Sequence, residues 1–297
     1  MRILLLGANG QVGQCLRTAL APLGDVVAAT RTGTLADGVA CEVADFDQPA
    51  DVHDLVLRIA PAVVVNAAAH TAVDRAEAEP EAAFRANAEA PAAIARACVA
   101  RDARLVHYST DYVFDGQGTR PYREDDPTAP LGVYGASKLA GEEAIRASGA
   151  RHHILRTAWV YAAHGRNFMH TMLRLAAERD ALRVVADQVG TPTSAELIAR
   201  VTAQLLDGRL PGSGTWHLTA SGQTSWHGFA EAIVAGAYAR GLLPRRTPVE
   251  AITTAEFRTP ARRPAWSVLD CTRLQAEAGI ALPDWRDALD AVLDQLR

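Results

Sequence analysis

The sequence has few cysteines and no long apolar run. None of its apolar stretches approaches the roughly 20 residues that a helix needs to span a bilayer. The apolar start at residues 2–6 is too short for the core of a signal peptide and predicts a strand. The four cysteines show neither paired spacing nor histidine neighbours at zinc-ligand distance. We therefore predict free thiols in a reducing cytoplasm, with no disulfide framework and no metal site.

The chain also lacks a strong charge of one sign, because 30 basic and 34 acidic residues leave a net charge of −4. This balance indicates neither a nucleic-acid partner nor a membrane partner. Apolar residues make up 49% of the sequence, which is enough for a sizeable core. The length of 297 residues suits one large domain or two closely associated ones.

The first half alternates short apolar runs with helical patterns, which is typical of parallel strands joined by crossover helices. Strands are predicted at residues 2–6, 26–29, 62–66, 104–109 and 153–157. Helices are predicted at residues 11–20, 51–59, 81–100 and 134–147. We expect an α/β fold in which a Rossmann-type, doubly wound parallel sheet occupies residues 1–160 and binds a dinucleotide.

After about Trp159, glycine and proline interrupt the pattern more often. Helices are still predicted at residues 167–178, 195–206, 226–240 and 285–296. Residues 161–297 are therefore expected to form a smaller α+β C-terminal substrate lobe. No clean linker precedes this lobe, so the two parts should interleave and fold as one unit.

Three glycines, Gly7, Gly10 and Gly13, stand between the first predicted strand and the first helix. Such a turn directs backbone N–H groups and a helix N-terminus toward a pyrophosphate. The spacing is G-x-x-G-x-x-G rather than G-x-G-x-x-G, and three glycines could also form only a tight turn. Their position between a strand and a helix favours a dinucleotide cofactor.

The end of the second strand distinguishes the two nicotinamide cofactors. A carboxylate there would bind the ribose 2′-hydroxyl of NAD, whereas an arginine accommodates the 2′-phosphate of NADP. Here Thr30 and Arg31 end the strand, and the next carboxylate is that of Asp37. This predicts NADPH, with use of NADH left open. Further candidate cofactor contacts are Asp45, Phe46, Ala68, Ala69 and Thr71.

Tyr134 and Lys138 stand four residues apart on a predicted helix, so both side chains lie on one face. A neighbouring ammonium favours a phenolate, which predicts a lowered pKa for Tyr134 and a phenol that can protonate a ketone oxygen. Ser109 and Thr110 close a strand at the edge where α/β sheets bind ligands, and Thr110 is our candidate for the hydrogen bond to the carbonyl. Taken alone, the Tyr-x-x-x-Lys spacing is more typical of an exposed helix face.

Longer motifs run nearly from end to end of the chain. They are GANGQVG at 7–13, NAAAHTAVD at 66–74, YSTDYVF at 108–114, YGASKLAGE at 134–142, LRTAWVY at 155–161, DQ at 187–188 before TPT at 191–193, and TPARRP at 259–264. Together they resemble the dTDP-4-dehydrorhamnose reductase family of extended short-chain dehydrogenases. The resemblance implies that NADPH reduces the C4 ketone of a nucleotide sugar, dTDP-4-dehydro-β-L-rhamnose, in the last step of dTDP-L-rhamnose synthesis.

Matched by position, the resemblance implies that Tyr134 is the catalytic acid and that Lys138 tunes it and binds the ribose. Thr110 would hydrogen-bond the substrate carbonyl, with Asp111 beside it and Trp159 near the hexose. The residues implied to hold the dinucleotide are Gly10, Gln11, Val12, Asp45, Phe46, Ala68, Ala69 and Thr71. The residues implied to hold the nucleotide diphosphate are Asn167, Arg262 and Arg263, for which a surface location is nearly as good an interpretation.

Some members of that family dimerise through magnesium held by acidic side chains. The matching position on the first helix is Cys15 here, and a thiol is a poor magnesium ligand. Glu196 matches a second position, but the C-terminus offers no evident counterpart to a third. We therefore expect a monomer or a weak homodimer rather than a magnesium-bridged dimer.

Other functions share the fold. Nucleotide-sugar 4,6-dehydratases need another acid beside the strand-end Thr-Asp, where this sequence has Tyr112. The 4-epimerases retain NAD, which the missing acid after the second strand disfavours. A reductase of another nucleotide 4-keto-6-deoxy sugar and a non-catalytic regulatory subunit both stay open, although a regulatory subunit would not require Thr110, Tyr134 and Lys138 together.

Overall fold

The apolar runs of the sequence form strands in the computed structural model, which describes residues 1–210 and 212–297. The strands are β1 (Arg2–Leu6), β2 (Asp25–Thr30), β3 (Glu42–Val43), β4 (Val63–Asn66), β5 (Arg104–Thr110), β6 (His152–Thr157), β7 (Val160–Tyr161), β8 (Leu182–Val185), β9 (Val189–Gly190), β10 (Thr193–Ser194), β11 (Gly214–His217), β12 (Thr224–Ser225) and β13 (Val249–Ile252). The strands predicted for the first half all form.

The helices follow the predicted pattern closely. They are α1 (Gln11–Leu20), α2 (Pro49–Ile59), α3 (Val73–Ala78), α4 (Pro80–Phe84), α5 (Ala90–Arg101), α6 (Val133–Ser148), α7 (Phe168–Glu178), α8 (Ala195–Gln204), α9 (Trp226–Ala239), α10 (Thr272–Ala278) and α11 (Trp285–Asp294). Within the described residues, none of these helices has the length and apolar character that a membrane crossing requires.

Seven strands form one parallel sheet in the order β11-β6-β5-β4-β1-β2-β3. The chain moves outward from β1 to β2 and β3 and then resumes on the other side of β1 with β4. Helices α2 and α5 pack together, as do α1 and α8. Ile3, Leu4, Leu5 and Leu6 are all fully buried, which explains why β1 is a continuous apolar run. The expected doubly wound α/β sheet is confirmed.

The single helix predicted at residues 81–100 is interrupted by a π-helical turn at Arg85–Glu89, between α4 and α5. This wider turn contains the fully buried Asn87, whose side-chain amide pairs with both backbone groups of His70 at 2.8 and 3.0 Å. Asn87 also donates to Ser137 Oγ on α6 at 3.0 Å. These tertiary bonds satisfy a buried amide, and a pattern of alanines and charges gives no indication of them.

The second half of the chain is built from short ladders and helices around the end of the sheet. Strand β11 joins the main sheet beside β6, while β7 pairs with β10, β8 with β13 and β9 with β12. One apolar core cluster includes residues of both halves, from Ile3 to Leu293. The division of the chain at residue 160 stays a prediction.

An ion pair is buried between α6 and β6. The guanidinium of Arg156 donates to both carboxylate oxygens of Glu142 at 2.9 and 2.7 Å, and the two side chains are 4% and 0% exposed. Removing one partner of such a pair leaves the other charge without compensation in a medium of low dielectric.

We therefore expect Arg156→Met to lower the free energy of unfolding by about 3–5 kcal/mol, measured by chemical denaturation. The control is Arg174→Met, which breaks an exposed pair with Glu178 at 2.9 Å and should cost less than about 1 kcal/mol. Equal losses in the two variants would contradict a special role for the buried pair.

Candidate active site

The carboxyl ends of the central strands open into a cavity of about 700 Å³. It lies where β2 and β4 leave β1 in opposite directions, which is the place where open α/β sheets bind ligands. The predicted site residues that line the cavity are Gly7, Gly10, Gln11, Val12, Arg31, Phe46, Ala68, Ala69, Thr71, Thr110, Asp111, Tyr134, Lys138, Trp159, Asn167 and Arg263. The structure places the other four, Gly13, Thr30, Asp45 and Arg262, outside this lining.

The glycine turn forms the wall of the cavity between β1 and α1. Gly7 has φ +78°, and a Cβ there would lie 2.6 Å from the backbone nitrogen of Ala68. Gly10 precedes the first turn of α1 and lines the cavity. Gly13 is buried in the helix, where a Cβ would lie 2.1 Å from the carbonyl oxygen of Gly7. Gly7 therefore lets the turn approach the backbone that follows β4, and Gly13 lets the helix pack on the turn.

The second strand places an arginine at the cavity. Arg31 lines it with a side chain that is 72% exposed, and its Nε lies 3.7 Å from Asp45 Oδ1. Thr30 is buried and exchanges hydrogen bonds with the backbone of Thr34 at 3.2 Å, so it holds the loop after β2. This largely exposed guanidinium at the edge of the cavity offers the fork of donors that suits a phosphate.

Tyr134 and Lys138 line the cavity from the same face of α6. Lys138 is almost fully buried, and its ammonium donates to the carbonyl oxygen of Tyr108 at 2.7 Å. Thr110 lies at the end of β5, where its hydroxyl donates to Asp111 Oδ1 at 2.9 Å and accepts from the N–H of Tyr112 at 3.2 Å. The structure brings all three predicted catalytic residues to one wall.

Burial changes the acidity of this pair in a direction that the helix spacing does not predict. Loss of solvent raises the pKa of Tyr134 to about 12, although a hydrogen bond with Thr110 opposes the rise. Loss of solvent lowers the pKa of Lys138 to about 8, although the charge of Glu142 opposes the fall. The prediction of a lowered pKa for the Tyr134 phenol is therefore wrong for this structure, because desolvation outweighs the neighbouring charge.

Several polar atoms at the strand ends have no partner. Ser109 Oγ, Asp111 Oδ2 and Thr157 Oγ1 are buried and have no well-formed hydrogen bond with the described part of the chain, although the Ser109 hydroxyl faces Glu142 and the Asp111 carboxylate faces Ser267. All three residues line the cavity. Since buried polar atoms are nearly always satisfied in folded proteins, these atoms are available to a ligand.

The opposite wall of the cavity is aromatic. Trp159 stacks on Trp226 with ring centroids 3.5 Å apart and planes at 5°. A Cβ at Gly190 would lie 2.5 Å from the Trp159 ring. Trp159 also has φ +48°, a left-handed conformation that is rare for a bulky residue. The surrounding residues therefore hold Trp159 in a strained backbone conformation at the cavity.

The three residues considered for a diphosphate lie in different places. Asn167 begins α7 and donates to Gln11 Oε1 at 2.8 Å, so it connects the second half of the chain to the glycine turn. Arg263 lines the cavity and pairs with Asp74 at 2.9 Å. Arg262 is exposed and borders a separate, much smaller cleft.

Among the lining residues that sequence reasoning missed are Arg166 and Trp226. Arg166 adjoins Asn167, so its position next to a predicted contact was an available signal. Trp226 comes from α9, far along the chain, and only its stacking on Trp159 identifies it.

Cys15 lies beside His164 and Glu196, with one potential ligand atom from each residue within 4.8 Å of the others. Burial raises the pKa of Cys15 to about 12, and the charge of Glu196 adds to the rise. A thiol, an imidazole and one carboxylate do not make the oxygen ligand set that magnesium requires. These residues do not fit the magnesium of the dimeric family members.

Comparison with known sequences agrees with the geometry. The family model described as "RmlD substrate binding domain" matches residues 1–297. The chain is 46% identical to a dTDP-4-dehydrorhamnose reductase of Shigella flexneri over 299 residues, which covers 100% of this chain and 98% of the relative. It is 48% identical to the enzyme of that name from Burkholderia thailandensis over 301 residues, with 97% of each chain covered.

Solved structures agree as well. A dTDP-4-dehydrorhamnose reductase from Clostridium acetobutylicum superposes with a TM-score of 0.90 at 37% identity, covering 100% of this chain and 99% of that one. A second, from Bacillus anthracis, was solved in complex with NADP and superposes with a TM-score of 0.89 at 33% identity, covering 99% of each chain.

A test of the site uses Asp111, which is 3% exposed and whose pKa burial raises from 3.8 to about 6. Because the folded-state pKa lies above that of the unfolded chain, the destabilisation by ionised Asp111 grows as pH rises from about 4 to about 6 and is constant above that range. We expect Asp111→Asn to gain stability relative to the parent between pH 4 and pH 8, by up to about 3 kcal/mol in urea denaturation.

The control is Asp115→Asn. A hydrogen bond from Tyr122 at 2.6 Å holds the pKa of Asp115 below its usual value. The stability that its carboxylate contributes is lost only as pH falls below the ordinary range for aspartate, so this difference should stay constant between pH 5 and pH 8. A flat profile for Asp111→Asn as well would contradict the destabilising ionisation of Asp111.

Proposed function

The chain belongs to the dTDP-4-dehydrorhamnose reductase family, and we propose that it catalyses the NADPH-dependent reduction of the C4 ketone of dTDP-4-dehydro-β-L-rhamnose to dTDP-L-rhamnose. The observation that carries this proposal is that Thr110, Tyr134 and Lys138 line the same cavity as the glycine turn. A proton donor and a dinucleotide cradle in one cavity are what a ketone reductase needs.

The shape of the glycine turn supports NADPH as the cofactor. Gly7 and Gly10 leave room for a pyrophosphate at the N-terminus of α1, where backbone N–H groups and the helix dipole favour negative charge. Arg31 would contact the 2′-phosphate, and Phe46 would flank the adenine. When bound, NADPH supplies the hydride. The NADP complex of the Bacillus anthracis relative supports the same choice.

Tyr134 would provide the proton. Because burial raises its pKa to about 12, the phenol keeps its proton at neutral pH and can donate it to the alkoxide oxygen that forms at C4. The ammonium of Lys138, on the same face of α6, would stabilise the phenolate that results. The raised pKa suits reduction, which needs the protonated phenol, better than oxidation.

Thr110 would orient the ketone. Its hydroxyl is held at the end of β5 by the N–H of Tyr112, and it can turn its own proton from Asp111 to a carbonyl oxygen. The unpartnered hydroxyl of Thr157 lies in the same lining and is suited to a sugar hydroxyl. The ketone carbon would then face the cofactor with its oxygen between Thr110 and Tyr134.

The remaining walls suit a nucleotide sugar. The stacked pair Trp159 and Trp226 gives the hexose an apolar surface. Arg263 and Arg166 place two guanidinium groups in the same lining as Asn167, and these guanidinium groups would bind the diphosphate.

Tyr134→Phe removes the proposed proton and leaves the cofactor walls intact. We expect turnover to fall by about 10²- to 10⁴-fold while NADPH affinity is nearly unchanged. The assay follows NADPH absorbance with dTDP-4-dehydrorhamnose generated in situ, and it identifies dTDP-rhamnose as the product. Full activity in this variant would overturn the assignment of the acid.

The matched control for that substitution is Tyr161→Phe. Tyr161 is fully buried outside the cavity lining, and its hydroxyl has no partner in the described part of the chain. This variant should therefore keep the activity of the parent. A parent that binds NADPH but does not turn over would indicate a different keto sugar or a regulatory role.

Arg31→Ala tests the choice of cofactor. A hydrogen bond to a charged group contributes about 1.5–3 kcal/mol, so the preference for NADPH over NADH should fall by about 10- to 100-fold. Kinetics with both cofactors measure this ratio, and Arg174→Ala, an exposed arginine on α7, is the control. An unchanged ratio would show that Arg31 does not bind the 2′-phosphate.

A further inference from the structure

A chain of buried side chains runs from Lys138 through His107 to Asn66, which also lines the cavity. Asn66 Nδ2 lies 3.0 Å from His107 Nδ1, and His107 Nε2 lies 3.3 Å from Lys138 Nζ. Asn66 is 1% exposed, His107 0% and Lys138 2%, so solvent does not compete for these contacts. Strands β4, β5 and helix α6 each contribute one residue.

The orientation of Asn66 determines where the proton of the imidazole lies. Asn66 Oδ1 accepts from the backbone N–H of Ala68 at 3.1 Å, so the amide nitrogen faces His107. An amide nitrogen only donates, and His107 Nδ1 must therefore accept. Burial and the charge of Lys138 hold the pKa of His107 well below its ordinary value, so the ring is neutral. A neutral ring that accepts at Nδ1 carries its proton on Nε2.

This proton faces Lys138, and its effect depends on the state of the lysine. An ammonium is a donor without any acceptor, so two donors confront each other at 3.3 Å. A neutral amine has a lone pair and can accept the Nε2–H. In its ammonium form, Lys138 still donates to the carbonyl oxygen of Tyr108 at 2.7 Å. The contact with His107 therefore favours the amine over the ammonium.

We propose that His107, held in its Nε2–H tautomer by Asn66, is a positioning residue that lowers the proton affinity of Lys138 and leaves the remaining N–H groups of its ammonium for the cavity. This inference rests on the proposed reduction, in which Lys138 stabilises the phenolate of Tyr134. An acceptor in place of His107 would bind one of those N–H groups and would make the lysine harder to deprotonate.

The other charged and titratable groups around Lys138 act in known directions. On α6, Glu142 raises the pKa of Lys138, but Arg156 on β6 neutralises most of that charge at 2.7 and 2.9 Å. Tyr134 shares the face of α6, and burial raises its pKa to about 12, so its phenol is neutral at neutral pH. The charge of Asp111, which follows β5, raises the pKa of Tyr134. Unlike these four groups, His107 presents a hydrogen-bond donor to the ammonium.

The test is His107→Gln, which can place a carbonyl oxygen where Nε2–H stands. Since a hydrogen bond to a charged group favours the charged form, the alkaline limb of the pH profile of kcat/KM should move from near pH 8 to higher pH by about one unit. His107→Asn keeps an acceptor for Asn66 and removes the Nε2–H, and it should shift the limb in the same direction by a smaller amount. Thermal unfolding establishes that both variants are folded.

The control is His153→Asn. His153 is also 0% exposed, but it lies on β6 and bonds Gly212 O at 2.9 Å. Loss of the His153 imidazole should lower the stability of the fold and leave the alkaline limb of the kcat/KM profile at the same pH. A purely structural role of His107 predicts the same outcome for His107→Gln and His107→Asn, namely a uniform loss of kcat/KM without a shift. That result in both variants would overturn the proposal.

A second readout separates this proposal from the proposed reaction. The affinity for NADPH, measured by fluorescence between pH 6 and pH 10, should weaken as Lys138 loses its proton, and His107→Gln should move that transition upward as well. If the parent binds NADPH but does not reduce dTDP-4-dehydrorhamnose, the reaction is wrong and the binding profile still tests His107. A binding transition that stays in place in both variants would contradict the proposal whatever the substrate is.

Discussion

The burial of one ammonium group constrains much of this structure, because an ionised amine away from water is costly unless other groups compensate it. Lys138 is only 2% exposed. The carbonyl oxygen of Tyr108 and the charge of Glu142 compensate it, and Arg156 in turn compensates Glu142. These contacts require α6 to pack tightly on β5 and β6. Helix α6 also packs closely on the turn after β5, where a Cβ at Gly135 would lie 2.1 Å from the carbonyl oxygen of Tyr112.

The cavity lining also contains features that do not favour the stability of the fold. Trp159 holds a left-handed backbone conformation, and Asp111 is ionised in a buried position at neutral pH. Thr157 presents a buried hydroxyl that finds no partner within the described residues. None of these features stabilises the fold, and each is suited to a ligand that supplies the missing contact. Their concentration in one place is typical of a site where stability is lower because function requires it.

Helix spacing correctly placed Tyr134 and Lys138 on one face, but it gave the wrong direction for the acidity of the phenol. Spacing contains information about which side chains are neighbours and none about how much water surrounds them. In the folded chain desolvation dominates, so the phenol becomes a weaker acid and the ammonium a stronger one. As a result, the tyrosine keeps its proton at neutral pH, and the pKa of the lysine, about 8, lies close to neutral pH.

The sequence by itself determined the order of strands and helices, the glycine turn at Gly7, and the family, because apolar periodicity and short motifs are local properties of the chain. The first strand and the first helix form with the predicted bounds. The sequence could not reveal the π-helical turn around Asn87, the stacking of Trp226 on Trp159, or the proton on His107. Each of these depends on contacts between residues far apart in the chain, and only the packed tertiary structure decides which donors, acceptors and rings meet.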